Sequence, residues 1–574
     1  MSLVRSTRPA RIAACTALAL AAGTLLSATP ATAADGRPAP SAAAGHRPAF
    51  ELPRAAGRSV TTYAGTRAKP RLDLDGDGWG DWVWRGVHGF CGTYLTGDGS
   101  SRPTDFTIHH DTLETVRDVI AVGNVGGSSR PELLTLSFDG RLSLHPTTTK
   151  GAGAPTWSGY GWQVYNRVVG AGDLNRDGHP DLLARTPSGE MWLYKGTGRL
   201  TGQPFATRTK VGNGWDAYDQ LVGTGDLDGD GVADLVARTL AGNLFVYKGT
   251  GSAATPFRAR TRVGPGWNAY NQLTAVDDVD GDGRADMLAR AFNGKVYWYL
   301  STGGGRFAPR REAATGWEGA EFFFGSGITP NLGKHSIQAR GTDGKLYEYV
   351  GKTNGAFFPK DATRYAPLAA SSKLTYAAGL DAFNWGTPLE TKADGTVSIP
   401  YPSTARPTTG LPAGTRLVSG PGDLTGDGRG DLLSRDSAGR LWLHPGTGSR
   451  DVFKAPVKVG NGWDAYDALV GGGDVTGDGR ADLVARKGGT LYLFRGTGSA
   501  AVPFAKRSTI GTGWSAYGQL ASPGDLTGDG RADLVARDGS GRLWRYPATG
   551  HTGTATFAPR ALVGGGWNVY TGVY

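Results

Sequence analysis

The chain has 574 residues, a formal net charge of +10, 92 glycines and two cysteines, yet aromatic residues still make up 10% of it. Disordered glycine-rich chains are poor in aromatics, so this composition excludes wholesale disorder and points to many tight turns in an all-β fold. The surplus positive charge is spread out, with no Lys/Arg run of the kind that marks a nucleic-acid footprint, so no nucleic-acid partner is expected.

Residues 1–33 read as an export signal. Arg5, Arg8 and Arg11 form a positive n-region, Ile12 to Leu26 an apolar stretch, and Ala31-Thr32-Ala33 a small-x-small cleavage site. The apolar stretch is shorter than the roughly 20 residues of a spanning helix, so a secreted chain with no membrane span is expected. Cleavage after Ala33 leaves Cys91 as the one cysteine and rules out an intramolecular disulfide. A secreted chain without disulfides needs another staple, and a metal ion is one. Residues 34–70 are rich in Ala, Pro, Gly and Arg and read as a flexible leader.

From Arg71 onward the chain repeats. A nine-residue acidic loop runs from Asp73 to Asp81. It returns at 173–181, 226–234, 278–286, 423–431, 474–482 and 525–533. Degenerate copies stand in phase at Gly123 to Gly127, Gly327 to Asn331 and Gly379 to Asp381, giving ten units. Each unit carries four short strand signals. In the fourth they are Leu235 to Thr239, Asn243 to Lys248, Arg258 to Val263 and Gln272 to Val276, separated by glycine turns. Continuous apolar runs such as Leu244 to Tyr247 suit strands covered on both faces. Ten repeats of ~50 residues with four strands each predict a β-propeller of four-stranded blades. A β-helix is the competing solenoid, but its coils are shorter. Rings usually hold about four to eight blades, so an even split near Gly327 gives two five-bladed rings, 71–326 and 327–574. The spacing fits one large ring equally well. The strand signal at Tyr570 to Tyr574 offers a way to close onto the first blade.

The acidic loop has the chemistry of a hard-cation site. Ca²⁺ takes six to eight oxygens at about 2.3–2.6 Å. Side chains at positions one, three and five wrap the ion, position seven offers a carbonyl, and the aspartate at nine closes the shell. The candidate ligands are Asp73, Asp75, Asp77 and Asp81; Asp173, Asn175, Asp177 and Asp181; Asp226, Asp228, Asp230 and Asp234; and Asp278, Asp280, Asp282 and Asp286. Three later loops add Asp423, Thr425, Asp427 and Asp431; Asp474, Thr476, Asp478 and Asp482; and Asp525, Thr527, Asp529 and Asp533. Threonine at position three supplies less charge, so these three are expected to bind Ca²⁺ more weakly. An EF-hand would need a twelve-residue loop ending in Glu between helices, whereas here position nine runs into a strand such as Leu-Val-Ala-Arg.

The run Gly524 to Arg537, Gly-Asp-Leu-Thr-Gly-Asp-Gly-Arg-Ala-Asp-Leu-Val-Ala-Arg, resembles the FG-GAP/VCBS-type repeats of integrin α-subunit head propellers and of many exported bacterial proteins. The resemblance covers almost everything after Arg71 and implies Ca²⁺ in the complete loops and none in units two, six and seven. A second motif, Val-Gly-x-Gly-Trp-x-x-Tyr, centres on Trp215, Trp267, Trp463, Trp514 (with Ile first) and Trp567. It is similar to the Gly-Gly-Trp repeat of tachylectin-type five-bladed lectins, which implies sugar binding.

The five tryptophans are the candidate ligand-binding residues, by stacking on sugar rings. Equally, one Trp at a fixed place in each blade is what packing between blades requires. The expected partner is an extracellular glycan, with a protein ligand held by an integrin-like scaffold as the alternative. A catalytic role is not expected: the nine histidines are scattered, and neither H-E-x-x-H nor G-x-S-x-G occurs. A secreted hydrolase is the remote alternative. Cys91 in Gly89-Phe90-Cys91-Gly92 reads as a strand or turn position.

Overall fold

In the computed structural model, blade 4 shows the repeat clearly. Strands Tyr218–Gly225, Asp234–Thr239, Leu244–Tyr247 and Thr261–Gly264 pair antiparallel in that order. The strand expected at Gln272 to Val276 is the first strand of the next blade, Tyr270–Asp277. The outer strand begins at Thr261 and not at Arg258, because Phe257 makes its own bridge to Gly249 first. The structure describes residues 50, 52, 70–87, 89–96, 104–109, 116–327, 334–381, 386–402, 404–412 and 414–574. The predicted export signal and most of the leader lie outside the described residues.

Strand pairing divides the blades into two closed sets of five. The first set opens with Trp82–Gly86, and that strand pairs with Ala320–Phe323, which returns from beyond the fifth blade. The second set opens with Ser336–Gly341, and that strand pairs with Tyr570–Val573. The C-terminal strand therefore closes the second ring and not the blade that follows Asp73. The degenerate units form blades without a full acidic loop. In the second, Val116–Gly123, Glu132–Ser137, Leu142–Thr148 and Trp157–Gly159 pair as in the others.

The core lies between blades. Along Asp234–Thr239, Leu235 and Ala237 point toward blade 3 and join Leu183, Leu193 and Trp215, while Val236 points toward blade 5 and joins Leu273 and Met287. Alternating side chains serve opposite faces of a strand, and here both faces are covered, which is why the sequence shows unbroken apolar runs. The arginine that ends each Leu-Val-Ala-Arg run has a structural use. Arg238 donates from Nη1 to the carbonyls of Trp267 (3.3 Å) and Tyr270 (2.6 Å), fixing the start of the next blade.

Near the axis of the first ring the inner strands crowd one another. A methyl group at Gly223 would stand 2.2 Å from the carbonyl oxygen of Gly170, so glycine is required there. Arg71 enters this crowded region. Its Nε bonds Asp277 at 3.0 Å and its Nη1 donates to the carbonyls of Gly170 and Gly223, joining blades 3, 4 and 5.

The two rings touch directly. Asn271 of the first ring donates to the carbonyl of Thr527 at 2.8 Å, and Gln272 donates to that of Gly528 at 3.3 Å. Asn166 donates to the carbonyl of Asp478 at 3.1 Å. The acidic loops of the second ring thus lie against the first ring.

Candidate metal loops and aromatic clefts

Each acidic loop leads into the second strand of its blade, and all but the first, Asp73 to Asp81, follow directly on the blade's first strand. The position-one carboxylate is clamped by its own loop. Asp226 accepts from the backbone of Gly229 and Gly231, both at 2.7 Å, and these glycines hold φ near +82°, the turn that folds the loop back. Asp278 and Asp525 are held in the same way.

Three loops gather carboxylates tightly enough for an ion. Asp73, Asp75 and Asp81, then Asp226, Asp228 and Asp230, then Asp278, Asp280 and Asp282, each bring three ligand oxygens within 4.8 Å of one another. Three hard oxygen donors on a glycine-shaped loop fit Ca²⁺. Lys248 Nζ lies 2.7 Å from Asp228, so a cation in blade 4 would displace it.

The ninth position is placed differently from the sequence expectation. Asp234 and Asp286 stand outside their triads and act as backbone staples. Asp234 accepts from Leu227 at 3.0 Å and, fifteen residues on, from Gly249 at 2.8 Å. Asp181, Asp431, Asp482 and Asp533 make the same pair of bonds. Only in the first loop does this residue, Asp81, join the triad, and Asp77 is left out there.

The other complete loops fit an ion less well. In blade 3, Asn175 replaces the third carboxylate and accepts from the backbone of Asp177. In blades 8 and 9, the hydroxyls of Thr425 and Thr476 donate to Asp423 (3.1 Å) and Asp474 (3.3 Å). In blade 10, Asp525 and Asp529 are each 7% exposed beneath the first ring, and Arg531 Nη2 lies 2.5 Å from Asp529. In blade 5 Arg284 pairs with Asp282 in the same way, but Asp230 and Asp282 face solvent, so burial sets blade 10 apart.

Burial and neighbouring carboxylates make these loops costly without an ion. Desolvation pushes Asp81 and Asp286 up to about 8, and Asp181 and Asp234 up to about 7. The unfolded value is near 3.9. Between that value and the folded one, the folded chain holds protons that the unfolded chain has released, so these groups destabilise the fold as pH rises through the window. Ion-free protein is therefore expected to melt at a higher temperature at pH 6 than at pH 8, as read by scanning calorimetry in chelator.

The five tryptophans lie in the cores between blades. Each opens a short 3-10 turn after a left-handed glycine, as at Gly214 with φ +81°, and each is only 7–8% exposed. Trp215 packs on Tyr247 with centroids 4.7 Å apart, and Trp267, Trp514 and Trp567 pack in the same way on Tyr299, Tyr546 and Tyr349. Trp463 packs on Phe494. With those faces covered, stacking on sugar is unavailable to them, and the motif works as a packing element. Beside each turn, a tyrosine three residues on and a basic residue about 40 further along the ring meet at the blade surface, a cluster that sequence reading missed. Both halves leave a signal in the sequence: the Trp-x-x-Tyr spacing gives one, and each basic residue stands three positions after a phenylalanine, as Arg260 after Phe257. Burial pushes the Cys91 thiol up to about 11, which favours the protonated form at neutral pH.

A family model described as an FG-GAP-like repeat matches residues 173–237, 423–485 and 474–536. The chain carries FG-GAP-like repeats. The matched stretches contain the acidic loops of blades 3, 4, 8, 9 and 10, so FG-GAP-like loops include both one with a carboxylate triad, in blade 4, and others without. No curated protein matches the sequence. Among solved structures, the Photorhabdus luminescens Tc holotoxin pore is 14% identical over 75% of this chain and 23% of that one, at a TM-score of 0.23. The present chain thus spans about a quarter of its length. Sqt1 of Saccharomyces cerevisiae is 10% identical over 75% of this chain and 95% of its own, at 0.21. Scores of this size carry no argument, and the fold stands on the strand pairing. No helix among the described residues is long and apolar enough to cross a membrane.

Proposed function

We propose that the protein is an exported, calcium-stapled β-propeller that works as a non-catalytic binding scaffold for extracellular polymers. The carrying observation is the set of three carboxylate triads, each on a glycine-shaped loop within a rigid blade. A rigid frame of this kind displays loops and rims, and recognition on such frames resides there. Export is supported by the Arg5 to Ala33 pattern, and the absence of disulfide chemistry leaves the ions as staples. Glycan is the preferred ligand, because extracellular polymers repeat as the blades do and repeated weak sites gain avidity. The integrin-like alternative, a single protein ligand, would use the same loops.

The full chain, expressed with its own leader, is expected in the culture medium with a new N-terminus at residue 34. It is expected to be retained on at least one insoluble or immobilised extracellular polysaccharide without releasing sugar. Retention inside the cell, or release of reducing ends from the polymer, overturns the reading.

A further inference from the structure

Six blade junctions carry a cation–tyrosine surface cluster, five of them with a second tyrosine and the one in blade 9 with Phe494 in its place. In blade 4, Tyr218 from the Trp-x-x-Tyr turn meets Tyr247 with hydroxyls 2.6 Å apart. The guanidinium of Arg260 donates to the Tyr218 hydroxyl and lies 4.3 Å from the ring centroid of Phe245. Equivalent cations are Arg208, Arg310, Arg507, Arg560 and Lys360, stacked 4.1–4.6 Å from the centroid of an aromatic ring on the neighbouring strand. The arginines each donate to a tyrosine hydroxyl, and Lys360 reaches that of Tyr570 at 3.3 Å. They occupy blades 3, 4 and 5 of the first ring and three consecutive blades of the second (9, 10 and 6, the last closed by Tyr570–Val573).

All six cations are exposed. Among the described residues none has a carboxylate partner: those acting on Arg208, Arg260, Arg310 and Arg560 are tyrosines. Elsewhere in the chain exposed arginines are paired, as Arg440 with Asp436 at 2.7 Å and Arg542 with Asp538 at 2.9 Å. An exposed arginine ordinarily loses rotamer freedom when it binds. Here stacking and the tyrosine bond have already fixed the side chain, and the remaining N–H donors face solvent. A fixed guanidinium fork matches a planar carboxylate in two parallel bonds, and the tyrosine pair beside it can exchange hydrogen bonds with sugar hydroxyls.

We propose that these clusters are binding sites for an anionic polysaccharide whose repeating units carry carboxylates, one unit per blade. The proposal rests on the scaffold reading above and names its ligand class. Three adjacent sites per ring give avidity when the polymer spacing permits simultaneous contact.

The test is retention of the full-length protein on immobilised polygalacturonate, with dextran as the neutral arm and polyphosphate as the phosphate arm. The wild type is expected to bind polygalacturonate, to bind it better than polyphosphate, and to lose binding as salt rises. The triple variant Arg208→Gln, Arg260→Gln, Arg310→Gln is expected to weaken binding about tenfold or more, with an unchanged melting curve. Arg260→Lys, which keeps charge but loses the fork, is expected to weaken it less. Arg262→Gln, two residues on and bonded to Asn243, is the control for bulk charge. Equal binding by the triple variant, or an Arg262→Gln loss as large as that of Arg260→Gln, overturns the proposal. Tighter binding to polyphosphate overturns the carboxylate assignment. Retention on neutral polymer alone leaves the scaffold reading standing and removes this one. Retention on none of the polymers by folded protein removes both.

Discussion

Stripping calcium is expected to lower the melting temperature of the protein by about 5–10 °C for each ion that leaves a saturated site. A ligand at 100 times its dissociation constant contributes ~2.7 kcal/mol, and a domain of 150–250 residues shifts by roughly 2–4 °C per kcal/mol. The three loops that gather a carboxylate triad, those of blades 1, 4 and 5, should dominate. Titration of chelated protein is expected to count three strong sites. Asp228→Ala should remove one of them and leave the fold intact, because the other blades are untouched. Thr476→Ala should leave the count unchanged, since that loop already satisfies Asp474 internally and lies against the first ring. A melting curve that ignores EDTA, together with no calorimetric heat on adding calcium, would end the metal reading.

Replacing Trp215 by alanine is expected to destabilise the protein by about 3–5 kcal/mol, the range for emptying an aromatic core site. The indole fills the space between blades 3 and 4 with Leu183, Leu193, Leu221 and Leu235 around it. The loss should appear in urea unfolding with no accompanying change in ligand selectivity. If Trp215→Ala kept its stability and lost binding instead, the packing account of the motif would be wrong.

These two expectations mark where the sequence was legible. The acidic loops were visible because an ion site needs its ligands within nine residues, so Asp226, Asp228 and Asp230 declare themselves in one line. The role of Asp234 was not visible: its partner, Gly249, lies fifteen residues on and becomes a neighbour only when the blade folds. Ten repeats and four strands followed from glycine punctuation around runs such as Leu244 to Tyr247. Ring number did not, because the closing strand Ala320–Phe323 differs little from other apolar segments and only its pairing with Trp82–Gly86 reveals its use. The tryptophans looked alike under the sugar-stacking and packing readings, since both want one aromatic per blade, and burial alone separates them. Interface loops in the second ring were hidden for a related reason. Thr527 and Gly528 meet Asn271 and Gln272 across more than 250 residues of chain, a distance at which no local pattern speaks.

The pairing that closes each ring also sets an order of events. The first ring has every strand it needs once Phe323 has been synthesised, while the second must wait for Val573. A nascent chain can therefore seal one ring while the other is still open, and the sealed ring offers the surface on which the later acidic loops settle. A chain cut before Tyr570 would leave Ser336–Gly341 with a bare edge, and an unpaired strand edge invites association with another chain.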